Sequence, residues 1–248
     1  MRRPYGGART EESTYGGPVR GERFVMALGG AVGCPVCGGS FRRFAPGPRD
    51  TPNRVCWRCH SLERHRALAL ALRERPGLLR AGMRVLHVAP EPSVTRLLPA
   101  DAEVIRGDLN PGPGEQRLDI TDLSGFSDER FDAVVCMHVL EHVLDDRRAL
   151  AELRRVLAAD GWAVLNAPIT SDRTDEDPTV TDPDERRRRY GQADHVRRYG
   201  PDYLGRLREA GFDVDVVRLE EDLPADRIAF HRLRAPDGFE PTILARRA

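Results

Sequence analysis

FDAVVCMHVLEHVLDDRRALAELRRVLAADGWAVLNAPI, residues 131–169, decides the fold of this chain. Residues 131–137 form a short run of apolar and β-branched residues, which predicts a strand buried on both faces. Residues 144–158 place apolar side chains at helical spacing. Asp160-Gly161 predicts a turn, and 161–167 a second buried strand. Strand, helix and strand in this order make a right-handed crossover between parallel strands. The polar loop after the first strand, with His138, Glu141 and His142, then lies at the carboxyl end of the sheet, where open α/β sheets bind ligands.

The flanking sequence extends this pattern. Residues 83–89 predict a strand, 93–98 a helical turn, and 102–106 a strand ending at Gly107-Asp108. After 169 comes a long polar insertion, 170–199, that can close over the sheet edge as a lid. A helix over 201–210, a strand over 212–219 and a final strand over 242–246 complete an α/β, doubly wound, Rossmann-like and mostly parallel sheet of seven strands.

Upstream, CPVC and CWRC place Cys34, Cys37, Cys56 and Cys59 in two knuckles about 18 residues apart, the pattern of a four-thiolate zinc site. A complete set of thiolates closes the tetrahedron, which marks a structural zinc. A redox dithiol is the competing reading, and one knuckle would suffice for it. Cys136, inside an apolar strand, reads as a buried inert thiol. The expected organisation is a tail over 1–30, a zinc ribbon over 31–62, a connecting helix over 63–80 and the main domain over 81–248.

The 248 residues carry 39 basic and 39 acidic side chains, so no global field draws the protein to nucleic acid or membrane. Lysine is absent, and the basic residues other than histidine are all arginine. No apolar run reaches the roughly 20 residues that span a bilayer. Nor does the N-terminal stretch have the apolar core of an export signal, so a cytoplasmic protein is expected, with reduced cysteines.

Residues 83–219 resemble a class I S-adenosylmethionine-dependent methyltransferase of the type 11 group. The resemblance rests on VLHVAPEP, Asp108, Asp119-Ile120 and FDAVVCMHVLEHV in order, followed by LRRVLAADGWAVL. With the two knuckles and the segment Gly191-Gln192-Ala193-Asp194-His195-Val196-Arg197, the chain is similar to a bacterial subgroup that carries a zinc ribbon. The resemblance implies S-adenosylmethionine as cofactor. His87, Ala89, Pro90 and Glu91 stand where the family has an acidic residue and a Gly-x-Gly loop. Two readings follow, a working variant loop, which is favoured, or a degenerate one. Asp108, with Leu109 beside it, is implied at the ribose, Asp119 and Ile120 at the adenine, and Met137 and His138 beside the sulfonium.

His138, Glu141, His142 and His195 are the candidate catalytic residues. Three readings stay open for them: a general base, a divalent metal site, or a packing feature of the fold. Asn166, Tyr190, Gln192, Asp194, His195 and Arg198 are candidate substrate contacts. The run Arg186–Arg189 reads first as a solvated face. The function expected is N- or O-methylation of a polar small molecule such as an amino acid, sugar or specialised metabolite, with a carboxylate-bearing acceptor suited to an arginine-lined cleft. RNA or protein methylation with the ribbon as dock, and a non-catalytic ribbon protein with a vestigial domain, are the alternatives. Nucleic acid and membrane partners are not expected, and a homodimer is possible.

Overall fold

The computed structural model describes residues 29–47, 50–236 and 238–248. Of the expected tail over 1–30, all but the last two positions lie outside the described residues. Strands β1 (Val32–Gly33) and β2 (Ser40–Phe41) form an antiparallel hairpin around the first cysteine knuckle. Helix α1 (Glu63–Arg73) follows the second knuckle and stops before Pro76, as a residue without an amide hydrogen requires. Then come β3 (Arg84–Val88), α2 (Pro92–Thr95), β4 (Glu103–Asp108), β5 (Gln116–Arg117) and β6 (Phe131–Met137). Helix α3 (Asp146–Val156) leads into β7 (Leu157–Asn166). The insertion holds β8 (Asp175–Glu176), α4 (Pro183–Tyr190) and β9 (Arg197–Arg198). Helix α5 (Tyr203–Glu209), β10 (Phe212–Val217), α6 (Leu219–Asp222), α7 (Ala225–His231) and β11 (Thr242–Arg247) complete the chain.

The main sheet has seven strands in the order β10-β11-β7-β6-β3-β4-β5. All neighbours are parallel except β11, which runs antiparallel to both β7 and β10. Strand β6 sits in the middle, so both its faces are covered. Val134 and Cys136 face α3 and α5, whereas Ala133, Val135 and Met137 face α1. Helix α3 buries Ala149, Leu150, Leu153 and Val156 at helical spacing, and the Asp145 side chain caps it by accepting the Arg148 N–H at 2.9 Å.

Strand β7 begins at Leu157, four residues before the expected start, because Leu157 already pairs with Phe131. The expected glycine turn becomes a bulge: the register jumps from Phe131↔Leu157 to Ala133↔Trp162. A Cβ at Gly161 would lie 3.0 Å from the Asp132 carbonyl, which is why the bulge carries glycine there.

Helix α1 does more than connect. Leu68, Leu70, Ala71 and Leu72 pack on the sheet face, while Ala69 joins the apolar core of the cysteine module with Val32, Phe41 and Phe44. Arg66 is fully buried. Its guanidinium donates to the carbonyls of Arg54 (2.9 Å), Ser61 (2.6 Å), His231 (2.7 Å) and Arg232 (2.8 Å), and it stacks on Phe44. One cation thus clips the cysteine module to the end of α7. Among the described residues, no helix is long and apolar enough to cross a membrane.

Candidate active site and cysteine cluster

The two knuckles repeat one turn. Gly38 N–H donates to Cys34 O (2.9 Å), and His60 N–H to Cys56 O (2.9 Å). Gly38 (φ 69°) and His60 (φ 59°) both adopt the left-handed conformation that turns each pair of sulfurs inward. The four Sγ atoms lie within 4.8 Å of one another, with Cys34–Cys59 at 3.6 Å and Cys37–Cys56 at 3.7 Å. Tetrahedral zinc with bonds of about 2.3 Å separates its sulfurs by about 3.8 Å, so the cluster fits that ion. All four cysteines are free thiols. His60 is exposed and stands outside the cluster.

The carboxyl edge of the main sheet gathers the other candidates. At the end of β3, Ala89 takes a left-handed conformation (φ 44°) while its N–H reaches the Gly107 carbonyl at 2.8 Å. The loop 88–92 therefore reverses without the expected glycines. Glu91 does not project freely: its carboxylate lies 2.5 Å from the Arg64 guanidinium and 2.9 Å from His65 Nε2, both on α1. Burial opposes its ionisation, but Arg64 and His65 hold the carboxyl well below the usual range. His87 is buried within β3, its Nδ1 is 3.2 Å from Thr95 Oγ1, and burial lowers its pKa to about 4.

Asp108 and the half-buried Leu109 stand at the end of β4, and Asp108 accepts the Asn110 N–H at 2.7 Å. Asp119 is exposed and caps its own turn, accepting the Thr121 N–H (2.9 Å) and hydroxyl (2.7 Å). Ile120 and Met137 are buried beneath this edge.

His138 follows β6 in a left-handed conformation (φ 53°), which swings its ring out of the strand. Its Nε2 lies 2.8 Å from Glu240 Oε1, and its Nδ1 lies 3.7 Å from Glu141 Oε1. Burial disfavours the imidazolium, but Glu240 outweighs that and raises the His138 pKa. The Glu240 carboxyl is held at about 2: burial opposes ionisation and His138 overrides it. Glu240 is the residue that sequence reading missed. It precedes β11, 102 positions from His138, and no local pattern marks it. Asn166, a candidate substrate contact, ties β7 to the segment that leads into β11. Its amide donates to Glu240 (3.1 Å) and Pro241 O (3.0 Å) and accepts the Ile243 N–H (2.9 Å).

The expected set of four splits. Glu141, His142 and His195 converge, with one ligand atom of each within 4.8 Å of the others. His138 is not in that trio and pairs with Glu240. The His142 and His195 rings meet edge to face at 4.6 Å, and Asp194 lies 3.4 Å from His142 Nδ1. Burial lowers the His195 pKa; it also works against the His142 cation, where Asp194 and Glu141 prevail and raise the pKa. Two contacts bring residue 195 to residue 141. Val196 N–H donates to Glu141 O at 2.9 Å, and the buried Arg197 guanidinium donates to the carbonyls of Leu140 (2.8 Å), Val143 and Leu144 (2.9 Å).

The other insertion residues fare differently. The Tyr190 ring is buried, Gln192 is exposed, and Arg198 points to Thr170 Oγ1 at 2.9 Å. Several arginines on this side of the protein are paired with acids. Arg187 pairs with Asp184, Arg189 with Asp175 and Asp177, and Arg206 with Asp146 and Glu176. In the ribbon, Arg54 makes a bidentate pair with Glu63 at 2.8 and 2.9 Å.

Residues 76–165 match the family model described as a methyltransferase domain. Among solved structures, the chain is similar to a putative methyltransferase of Bacillus halodurans, at 20% identity and TM-score 0.44, covering 71% of this chain and 97% of that one. An S-adenosylmethionine-dependent methyltransferase of Mesorhizobium loti matches at 18% identity and TM-score 0.49, over 73% and 98%. The 1,6-didemethyltoxoflavin-N1-methyltransferase of Burkholderia thailandensis, solved with 1,6-didemethyltoxoflavin and S-adenosylhomocysteine, matches at 17% identity and TM-score 0.47, over 72% and 76%. No curated protein matches the chain. Over residues 76–165, then, the chain is similar to a methyltransferase domain.

Proposed function

We propose that the protein methylates a nitrogen or oxygen of a small polar acceptor, held at the sheet edge between His138 and the insertion. The observation that carries this reading is the His138 ring, turned out of β6 by its left-handed backbone and held at 2.8 Å by Glu240. Bound S-adenosylmethionine would supply an activated methyl group on a sulfonium. The loop 88–92, Asp108, Asp119 and the apolar floor of Ile120 and Met137 would hold it. His138 would orient the acceptor and, as the neutral imidazole, take the proton it releases, while Glu240 fixes the ring.

The charges of the site bear on the acceptor. Glu141, Asp194 and Glu240 gather there, whereas the insertion's arginines Arg187, Arg189 and Arg197 are engaged by internal carboxylates or carbonyls. An amine or hydroxyl acceptor suits that field better than the carboxylate expected from the arginine content. In the ribbon, Arg54 is committed to Glu63, while Arg42, Arg43 and Arg58 stay exposed.

The test is calorimetry with S-adenosylhomocysteine, followed by transfer of labelled methyl to panels of amines, alcohols and carboxylic acids. Cofactor binding with transfer to amines or alcohols is expected. Replacing His138 with Gln should cut transfer by about 10²–10⁴-fold while leaving cofactor affinity near that of the parent. Absence of binding at millimolar cofactor refutes the reading and favours a vestigial domain.

A further inference from the structure

We infer that Glu141, His142 and His195 form a binding site for one divalent transition-metal ion, separate from the four-cysteine cluster. The three side chains come from two distant segments, and one ligand atom of each lies within 4.8 Å of the other two. Glu141 and His195 are 1% and 6% exposed, and Glu141 Oε2 and His195 Nε2 have no hydrogen-bond partner. His142 Nδ1 and Asp194 Oδ2, in the same cluster, also lack an aligned partner. His142 Nδ1 and Asp194 Oδ2 face each other at 3.4 Å, so Glu141 Oε2 and His195 Nε2 are the two atoms left over, and two unsatisfied polar atoms at one buried point are rare in folded proteins unless something binds there.

The ring geometry selects a ligand atom. His195 Nδ1 lies 3.1 Å from the Tyr190 carbonyl, which can only accept, so Nδ1 carries the hydrogen. Nε2 then presents its lone pair to the cluster. A backbone carbonyl that fixes the far nitrogen of a histidine is the usual support of a metal ligand. Two imidazoles and a carboxylate suit zinc, iron(II), cobalt(II) or manganese(II) better than calcium or magnesium, which favour oxygen alone. The scaffold is stiff, because Val196 N–H holds Glu141 O and Arg197 ties the carbonyls of Leu140, Val143 and Leu144.

Three protein ligands leave a coordination position open. Glu141 Oε1 lies 3.7 Å from His138 Nδ1, so the ion would stand beside the residue placed at the acceptor. An acceptor oxygen or a water can fill that position. This last point rests on the methyl-transfer reading; binding of the ion does not.

The experiment uses the full chain with its cysteine cluster loaded with zinc. Cobalt(II) is added, bound metal is counted by elemental analysis, and the visible spectrum is recorded. One cobalt equivalent beyond zinc is expected, with the weak bands of nitrogen and oxygen ligation and no thiolate charge-transfer band. Glu141→Gln and His195→Gln should each weaken cobalt binding by about tenfold or more, with the zinc content and far-ultraviolet circular dichroism of the parent. If either variant fails to fold, the parent's stoichiometry and spectrum decide alone. The inference falls if the parent takes up no cobalt, if the spectrum shows thiolate ligation, or if folded variants bind as tightly as the parent. A protein that binds S-adenosylhomocysteine but no second metal would overturn this inference and leave the methyltransferase reading standing.

Discussion

Replacing Arg66 with Met should unfasten the cysteine module from the rest of the protein. The change keeps most of the apolar stem and removes the guanidinium that donates to Arg54 O, Ser61 O, His231 O and Arg232 O. Ser61 O retains the Cys56 N–H at 3.1 Å, so the loss falls mainly on the other three carbonyls. Each buried acceptor stripped of its donor costs about 1–3 kcal/mol. Water can reach some of the opened space, which places the total at about 3–5 kcal/mol, the range seen when one member of a buried charged set is removed. For a chain of this length that lowers the melting temperature by about 6–20 °C. Denaturant unfolding gives the free energy, and a chromophoric zinc chelator gives the rate of metal loss. The variant should release zinc faster, because the knuckle closed by Ser61 loses its brace. A variant within 1 kcal/mol of the parent (roughly the error of such a measurement), with unchanged zinc release, would refute the claim that Arg66 is the clip.

Further outcomes follow from other contacts. Gly200→Ala places a Cβ 2.4 Å from the Arg173 backbone, so the β8–β9 ribbon must shift; a loss of about 1–3 kcal/mol and faster amide exchange at Glu176 and Arg197 are expected. Tyr199→Phe removes the hydroxyl that donates to Asp146 at 2.6 Å, while Arg206 keeps that carboxylate at 2.9 Å, so unfolding should become easier by about 1.5–3 kcal/mol. Acid should destabilise through carboxyls depressed in the folded state, Glu91 well below 4.5 and Glu176 at about 2. Because the unfolded chain takes up their protons first, their contribution is complete above about pH 4.5 and fades as pH falls toward 2, which urea midpoints measured across that window will show. Stripping metal with a strong chelator should release one zinc and lower the melting temperature, with re-addition restoring it.

The strands that carry the sheet were legible because their side chains are buried on both faces. β6 matches its expected span of 131–137, and β11 falls within a residue of its expected end. The start of β7 was not, since a bulge at Asp160-Gly161 looks like a turn until the partner strand is known. The four cysteines were readable as a spacing, and the trio Glu141, His142 and His195 as residue types suited to a site. What the pattern did not reveal was the division of labour: His138 belongs with Glu240, and only the antiparallel return of β11 brings that carboxylate to the edge. The role of Arg197 was equally hidden, since its acceptors are backbone carbonyls that every sequence possesses. The pairing of Arg189 and Arg206 was hidden for a related reason, because a count of cations says nothing about the internal acids that engage them.

The placement of β11 also orders events during synthesis. It lies between β7 and β10, yet it is made after both. Until residues 242–247 leave the ribosome, β7 has an open edge and β10 has no partner in the sheet. A nascent chain can close its cysteine turns and pair β3, β4, β6 and β7 early, but its exposed strand edge is open to pairing with other chains. Glu240 and the strand that covers that edge arrive together, so the polypeptide seals this edge of its sheet and completes the surroundings of His138 in the same step.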